Sequence, residues 1–193
     1  MKRNYGKYID KNQTAGDCQL VTAVNAYYFL TGKQWCKAKS DEYERLVDLT
    51  ACRHGSAIHI EKAWNELGIE IVWEGNIWFN VEEILKKRRL PVEWNIWAWG
   101  YGFHSTLIVD YVKKSENIRV TNFRKVVLPS GWMSCYDMHK YENFSVQRDL
   151  KLFRIFALKG DPRNRTLKKE WKKEKKRWCE MHINLYRDML KKI

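Results

Sequence analysis

Apolar positions recur with two periods along the chain, helical up to Arg89 and strand-like from Pro91. The run CQLVTAVNAYYFLT at 18–31 predicts a helix, with Asp17 or Thr14 available as a cap and Gly32 placed to end it. A second helix is expected from the Ser40-Asp41 cap, carrying Tyr43, Leu46, Val47 and Thr50 on one side. Arg53-His54-Gly55 reads as a loop. AIHIEKAWNELG predicts a third helix over 57–67, with Ile60, Ala63, Trp64 and Leu67 at helical spacing and Gly68 as the stop. IEIVW at 69–73 reads as a short strand. Asn80 then caps VEEILKKRR, whose early acids and late bases suit the helix dipole.

The second half alternates. PVEWNIWAW (91–99) sets Val92, Trp94, Ile96 and Ala98 on one side, and Gly100-Tyr101-Gly102 turns the chain into FHSTLIVDYV (103–112). A turn at 114–117 leads to IRVTNF (118–123), and LKLFRIFAL (150–158) supplies a last strand that closes the domain. Helices first and an antiparallel sheet afterwards is the α+β pattern. Asp161-Pro162-Arg163-Asn164 reads as a hinge. Beyond it, Thr166–Ile193 can run as one amphipathic helix of ~40 Å at 1.5 Å per residue. The expected organisation is a domain over residues 1–160 and a basic helical extension over 161–193.

Charge sharpens that division. The 193 residues carry a net charge of +13, and from Asp161 onward twelve Lys/Arg face five acids. More than half of the excess therefore lies in the last 33 residues, which describes a basic tail rather than a basic domain. Trp171, Trp178, His182, Leu185 and Met189 line one side of the tail, while Lys168, Lys169, Lys172, Lys173, Lys175, Lys176 and Arg177 load its first half. The aromatic side suits docking on the domain or on a second copy. The basic segment 165–177 suits nucleic acid, an acidic protein or an anionic membrane surface.

Other classes are excluded by composition. No apolar run reaches the ~18–20 residues that cross a bilayer, and Met1-Lys2-Arg3-Asn4-Tyr5-Gly6-Lys7 lacks the apolar stretch of a secretory signal. Five cysteines with no CxxC pair argue against a disulfide framework and for the reducing cytoplasm. Cys52 with His54 and His59, Cys135 with His139, and Cys179 with His182 lack the paired spacing of a zinc site. No glycine-rich phosphate loop is present.

A thiol at a helix start is the most suggestive chemistry. The partial positive charge there favours thiolate at Cys18, whereas burial in apolar surroundings would favour the neutral thiol. A cysteine nucleophile needs a base, and the base needs a group that orients it. His104 opens a strand after a turn, and Asn122 closes the next strand, so both can meet the start of the Cys18 helix. Gln13 and the Cys18 N–H can hold a developing oxyanion. Trp94, Trp97, Trp99, Tyr101 and Phe103 crowd the approach. Trp94 reads as sheet core, and Trp97 and Trp99, on the other face, can wall a substrate groove.

Gln13…Asp17-Cys18 leading into LVTAVNAYYFLTGK resembles the papain-like cysteine peptidases, in particular the leader-cleaving (double-glycine) peptidase domains of bacteriocin exporters and their stand-alone relatives. GSAIHIEKAWNELGIEI is similar to their small helix ending in Leu-Gly before a strand, and VEEILKKRRLPVEWNIW…GFHSTLIVDYVKKSENIRVTNF looks like their His-bearing and third-residue-bearing strands. The resemblance covers residues 10–125. It implies a papain-like fold with Cys18 as nucleophile, His104 as base, Asn122 as orienting residue and Gln13 as oxyanion donor. Three positions depart from the family pattern. The Gln13–Cys18 gap is one residue short, Gln19 replaces a common glycine and narrows or re-aims the acceptor site, and Asn122-Phe123 replaces Asp-Pro. The expected activity is hydrolysis of a peptide or isopeptide bond in a peptide or protein substrate, with no cofactor. Acyl transfer or deamidation on the same triad, and a binding protein that has lost turnover, are the alternatives.

Overall fold

A computed structural model of the chain describes residues 4–11, 16–52, 58–75, 81–98, 102–123, 131–135, 137–138 and 153–190. The chain divides into two compact units, Met1–Lys159 and Gly160–Ile193.

The first unit opens with a 3-10 turn at Tyr5–Lys7. Helix α1 (Cys18–Thr31) follows, and ends at Gly32, whose φ of 70° a residue with a side chain would adopt only under strain. Asp17 occupies the N-cap position of α1 but makes no capping bond; its carboxylate accepts from the Tyr43 hydroxyl instead. Thr14 lies outside the described residues. Helix α2 (Asp41–Thr50) starts at Ser40, whose hydroxyl accepts from Tyr43 N–H at 3.3 Å, and it buries Tyr43, Leu46, Val47 and Thr50. Helix α3 (Ile60–Glu66) is shorter than the apolar spacing predicts.

The VEEILKKRR segment differs in kind from expectation. Residues Glu83–Arg88 form a π-helical turn, ended by Arg89 at a φ of 56°. Glu83 and Arg88, five residues apart, pair at 3.1 Å along it. The predicted cap, Asn80, lies outside the described residues.

Among the described residues, six strands form one antiparallel sheet: β1 (Ile69–Gly75), β2 (Val92–Ala98), β3 (Gly102–Val112), β4 (Asn117–Thr121), β5 (Trp132–Ser134) and β6 (Phe153–Leu158). Their order is β1-β6-β2-β3-β4-β5. The last strand is therefore internal: β6 lies between β1 and the β2–β3 hairpin and joins the two halves of the sheet. With the helices preceding most of the sheet, the fold is α+β.

Register decides which side chains share a face. Glu93 pairs with Leu107 and Arg154, and Asn95 pairs with Ser105, so these residues share one face. That face meets the helices, where Leu20, Val24, Leu46 and Leu67 pack with Leu107 and Phe156. Trp94 pairs with Thr106 and Ile96 with His104, so these four take the other face. Residues 92–96 are buried on both sides. Charged and amide residues at 93 and 95 therefore need internal partners, since water cannot reach them.

The segment before α1 is held by side chains. Asn25, 1 % exposed, accepts from Ile9 N–H at 2.8 Å and donates to Ile9 C=O at 2.9 Å and to Thr121 Oγ1 at 2.9 Å. Arg119 Nη2 donates to both Asp10 carboxylate oxygens at 3.1 and 3.2 Å, and at Gly131 an added Cβ would lie 1.4 Å from the Arg119 guanidinium.

In the second unit, helix α4 spans Arg163–Leu190 and starts three residues before its predicted position. Asp161 explains the early start: its carboxylate accepts from Arg163 N–H and its carbonyl from Asn164 N–H, both at 2.9 Å. Pro162 fits a first turn that needs no N–H donor. Among the described residues no helix is long and apolar enough to cross a membrane.

Asn25→Ala removes every bond that this side chain makes to Ile9 and leaves the N–H and C=O of that buried residue without partners. The expected loss is about 2–4 kcal/mol, read as a lower urea midpoint at an unchanged slope. A loss below ~1 kcal/mol would mean that water replaces the amide.

Candidate active site

Cys18 is the first residue of α1 and is 5 % exposed. The first bond of the helix runs from Val21 N–H to Asp17 C=O at 2.9 Å, so the helix itself offers no acceptor to the N–H groups of residues 18–20. The main-chain N–H groups of Ser105 and Gln19 lie close enough to the Cys18 sulfur to favour its thiolate. The thiol thus lies against the strand residue that follows His104.

Asn122 joins these elements. It sits one residue past β4, fully buried, with a φ of 56° in the left-handed region that asparagine tolerates better than most residues. Its Nδ2 donates to the Cys18 carbonyl at 3.2 Å and to the Ser105 carbonyl at 2.8 Å. Two carbonyl acceptors fix which end of the amide carries the hydrogens. Its Oδ1 is buried and has no partner among the described residues.

His104, 3 % exposed, reaches Asn122 from the other face of the sheet. Its Nε2 lies 2.5 Å from the Asn122 main-chain carbonyl oxygen. A carbonyl only accepts, so Nε2 carries the hydrogen and, in the neutral ring, Nδ1 holds the lone pair. The group that orients the imidazole is therefore the backbone of Asn122, while the side chain expected to do so holds Cys18 and Ser105.

A polar chain unmarked by any motif lies behind the thiol. Ser105 Oγ donates to Glu93 Oε1 at 2.7 Å and lies 3.0 Å from Thr22 Oγ1 on α1. Arg154 Nη1 reaches Glu93 Oε2 at 3.3 Å, and Arg154 Nε reaches Glu74 at 3.5 Å. Burial holds the Glu93 carboxyl above the usual carboxylate range, against the opposing pull of Arg154. The available signal was an acid inside the apolar strand VEWNIW together with an arginine inside LKLFRIFAL.

These surroundings decide the ionisation question. Burial first, then the charges of Glu93 and Asp17, push the Cys18 thiol up to about 11, although the Ser105 and Gln19 N–H groups favour the thiolate. The helix start does not produce a resting thiolate. Desolvation outweighs it.

Gln13 and Trp99 lie outside the described residues, as do Tyr101, His54 and His139. Asp10, three residues before Gln13, accepts from Phe123 N–H at 3.2 Å, so the chain leading to Gln13 runs beside Asn122. Trp97 pairs with Phe103 in the register, and its side chain is outside the described set. Gln19 is partly exposed, while Trp94 is wholly buried, as expected of sheet core. Among the described residues no cluster of three or more His, Cys, Asp or Glu side chains is placed to hold a metal ion.

Alkylation of Cys18 by iodoacetamide, followed by adduct mass, should rise about tenfold per pH unit from pH 7 to 10 with no plateau. Glu93→Gln keeps a partner for Ser105, removes the negative charge and leaves Arg154 positive, so it favours the thiolate. The rate at pH 8 should increase roughly three- to tenfold. A wild-type plateau below pH 8, or a slower Glu93→Gln variant, would contradict this electrostatic account.

The chain matches no protein-family model, and no curated protein matches its sequence.

Proposed function

We propose that the chain is a papain-like cysteine hydrolase that opens a peptide or isopeptide bond. The observation that carries this reading is the hydrogen bond from His104 Nε2 to the Asn122 carbonyl at 2.5 Å, made by the same residue whose amide holds the Cys18 carbonyl at 3.2 Å. Core packing alone does not require a cysteine at a helix start and an asparagine tied by its amide to that cysteine and by its carbonyl to a histidine.

In the proposed reaction the His104 ring, which makes no hydrogen bond to Cys18 at rest, swings so that Nδ1 takes the thiol proton as Sγ attacks the substrate carbonyl carbon. A neutral thiol at rest makes this a general-base step rather than attack by a preformed ion pair. The oxyanion is received by the Cys18 N–H in the first turn of α1 and by the Gln13 amide. The imidazolium then protonates the leaving amine as the C–N bond breaks, which leaves a thioester on Cys18. Water attacks the thioester with His104 again as base, releases the carboxylic acid and restores the thiol. Asn122 acts as a positioning residue through its backbone. The five cysteines are all free thiols, which supports a reducing, cytoplasmic setting for thiol chemistry.

Burial of Cys18 at 5 % exposure favours a second reading, a binding protein on the same fold without turnover. The two readings separate on acylation by an activated ester. With p-nitrophenyl acetate at pH 7, wild type should acylate Cys18, and Cys18→Ala should not. His104→Ala should slow acylation by roughly 10²–10⁴-fold. His104→Gln, which can retain a donor for the Asn122 carbonyl but offers no base, should lose as much. Equal rates in wild type and both histidine variants would leave Cys18 a core residue and favour the binding protein.

A further inference from the structure

We propose that the basic face of α4 binds the phosphate backbone of a nucleic acid without regard to sequence. Arg165, Lys169, Lys172 and Lys176 are separated by four, three and four residues and are all exposed. At 100° and 1.5 Å per residue they form one stripe about 16 Å long, with neighbours about 4.5–6 Å apart along the axis. Lys168 and Lys175 flank it on one side and Lys173 on the other, and these too are exposed. Glu170 and Glu174 fall away from the stripe at helical spacing, while Glu180, 3.8 Å from Lys176, marks its end. The result is a row of cations whose spacing suits a row of phosphates. A duplex presents about one charge per 1.7 Å of its axis.

The position of the stripe separates nucleic acid from the other polyanions. Positions 171, 178, 182, 185 and 189 lie on the opposite side of the helix cylinder. A bilayer that took up that apolar side would leave the lysine stripe pointing away from its headgroups, so a membrane is disfavoured. Between 165 and 176 the basic side has no aromatic or aliphatic residue to serve as a buried anchor for an acidic protein. Lysines acting as point charges suit a phosphate backbone read for charge rather than sequence.

The test is fluorescence anisotropy of the full chain with a labelled mixed-sequence 20-base-pair DNA duplex between 50 and 200 mM KCl. Four phosphate contacts predict a slope of log K against log salt near −3.6 or steeper, a loss of at least about 10²-fold over that range. The triple variant Lys169→Gln, Lys172→Gln, Lys176→Gln keeps good helix formers and should flatten the slope by about 2.7. A control with the same loss of charge, Lys33→Gln, Lys37→Gln, Lys114→Gln at exposed positions of the first unit, should leave the slope unchanged. The proposal is overturned if no binding is seen at 50 mM salt, or if the control flattens the slope as much as the helix variant. It is also overturned if poly-glutamate or phosphatidylserine vesicles bind more tightly than the duplex at equal salt.

Discussion

One asparagine in a left-handed conformation ties the helices to the sheet where the chemistry would occur. Asn122 can hold the Cys18 and Ser105 carbonyls with one amide because its φ of 56° turns the chain at the end of β4. The same turn presents its carbonyl to His104 on the far face. All of these groups are buried, so each bond left unmade would cost about 1–3 kcal/mol with no water to replace it. The positions of Cys18, His104 and Ser105 therefore depend on this single backbone conformation. Asn25 repeats the device nearby by clamping Ile9 to Thr121.

Burial that fixes the geometry also governs the protonation state. A helix start is worth about 0.3–1 kcal/mol to an adjacent anion, and up to ~2 in partly buried cases. Raising the Cys18 thiol from 9.0 to about 11 corresponds to roughly 3 kcal/mol against the anion. The larger effect wins. Glu93, placed behind Ser105 and paired with Arg154, works in the same direction as burial. The site therefore combines a neutral thiol with a histidine whose tautomer is fixed by a carbonyl. Under the proposed function His104 would have to move the proton during the reaction, because no resting ion pair would have moved it beforehand.

Local order was legible where one element decided it. The apolar run ending at Gly32, the Ser40 cap and the alternation on either side of residues 100–102 gave α1, α2 and the β2–β3 hairpin nearly to the residue. Long-range order was not. The position of β6 between β1 and β2 depends on pairings such as Val92 with Ile155, which no period in either strand expresses. The π-helical turn at 83–88 keeps the composition of an α-helix, so dipole and cap signals could not distinguish it. Strand β5, three residues long, is too short to have a period. At the candidate site the residue types were legible, but their roles were not: whether Asn122 holds His104 by its side chain or its backbone depends on a φ angle. Glu93 carries no motif, and alternation alone does not show that both sides of β2 are buried.

The hydrogen bond to the Asn122 carbonyl requires that His104 carry its hydrogen on Nε2 and, in the neutral ring, its lone pair on Nδ1. The direct measurement is the pair of imidazole ¹⁵N shifts of His104 at pH 8, assigned through a His104→Gln control. The expected result is a protonated Nε2 and an unprotonated Nδ1, with Nδ1 perturbed when Cys18 is alkylated. A hydrogen on Nδ1, or an Nδ1 indifferent to alkylation, would contradict it.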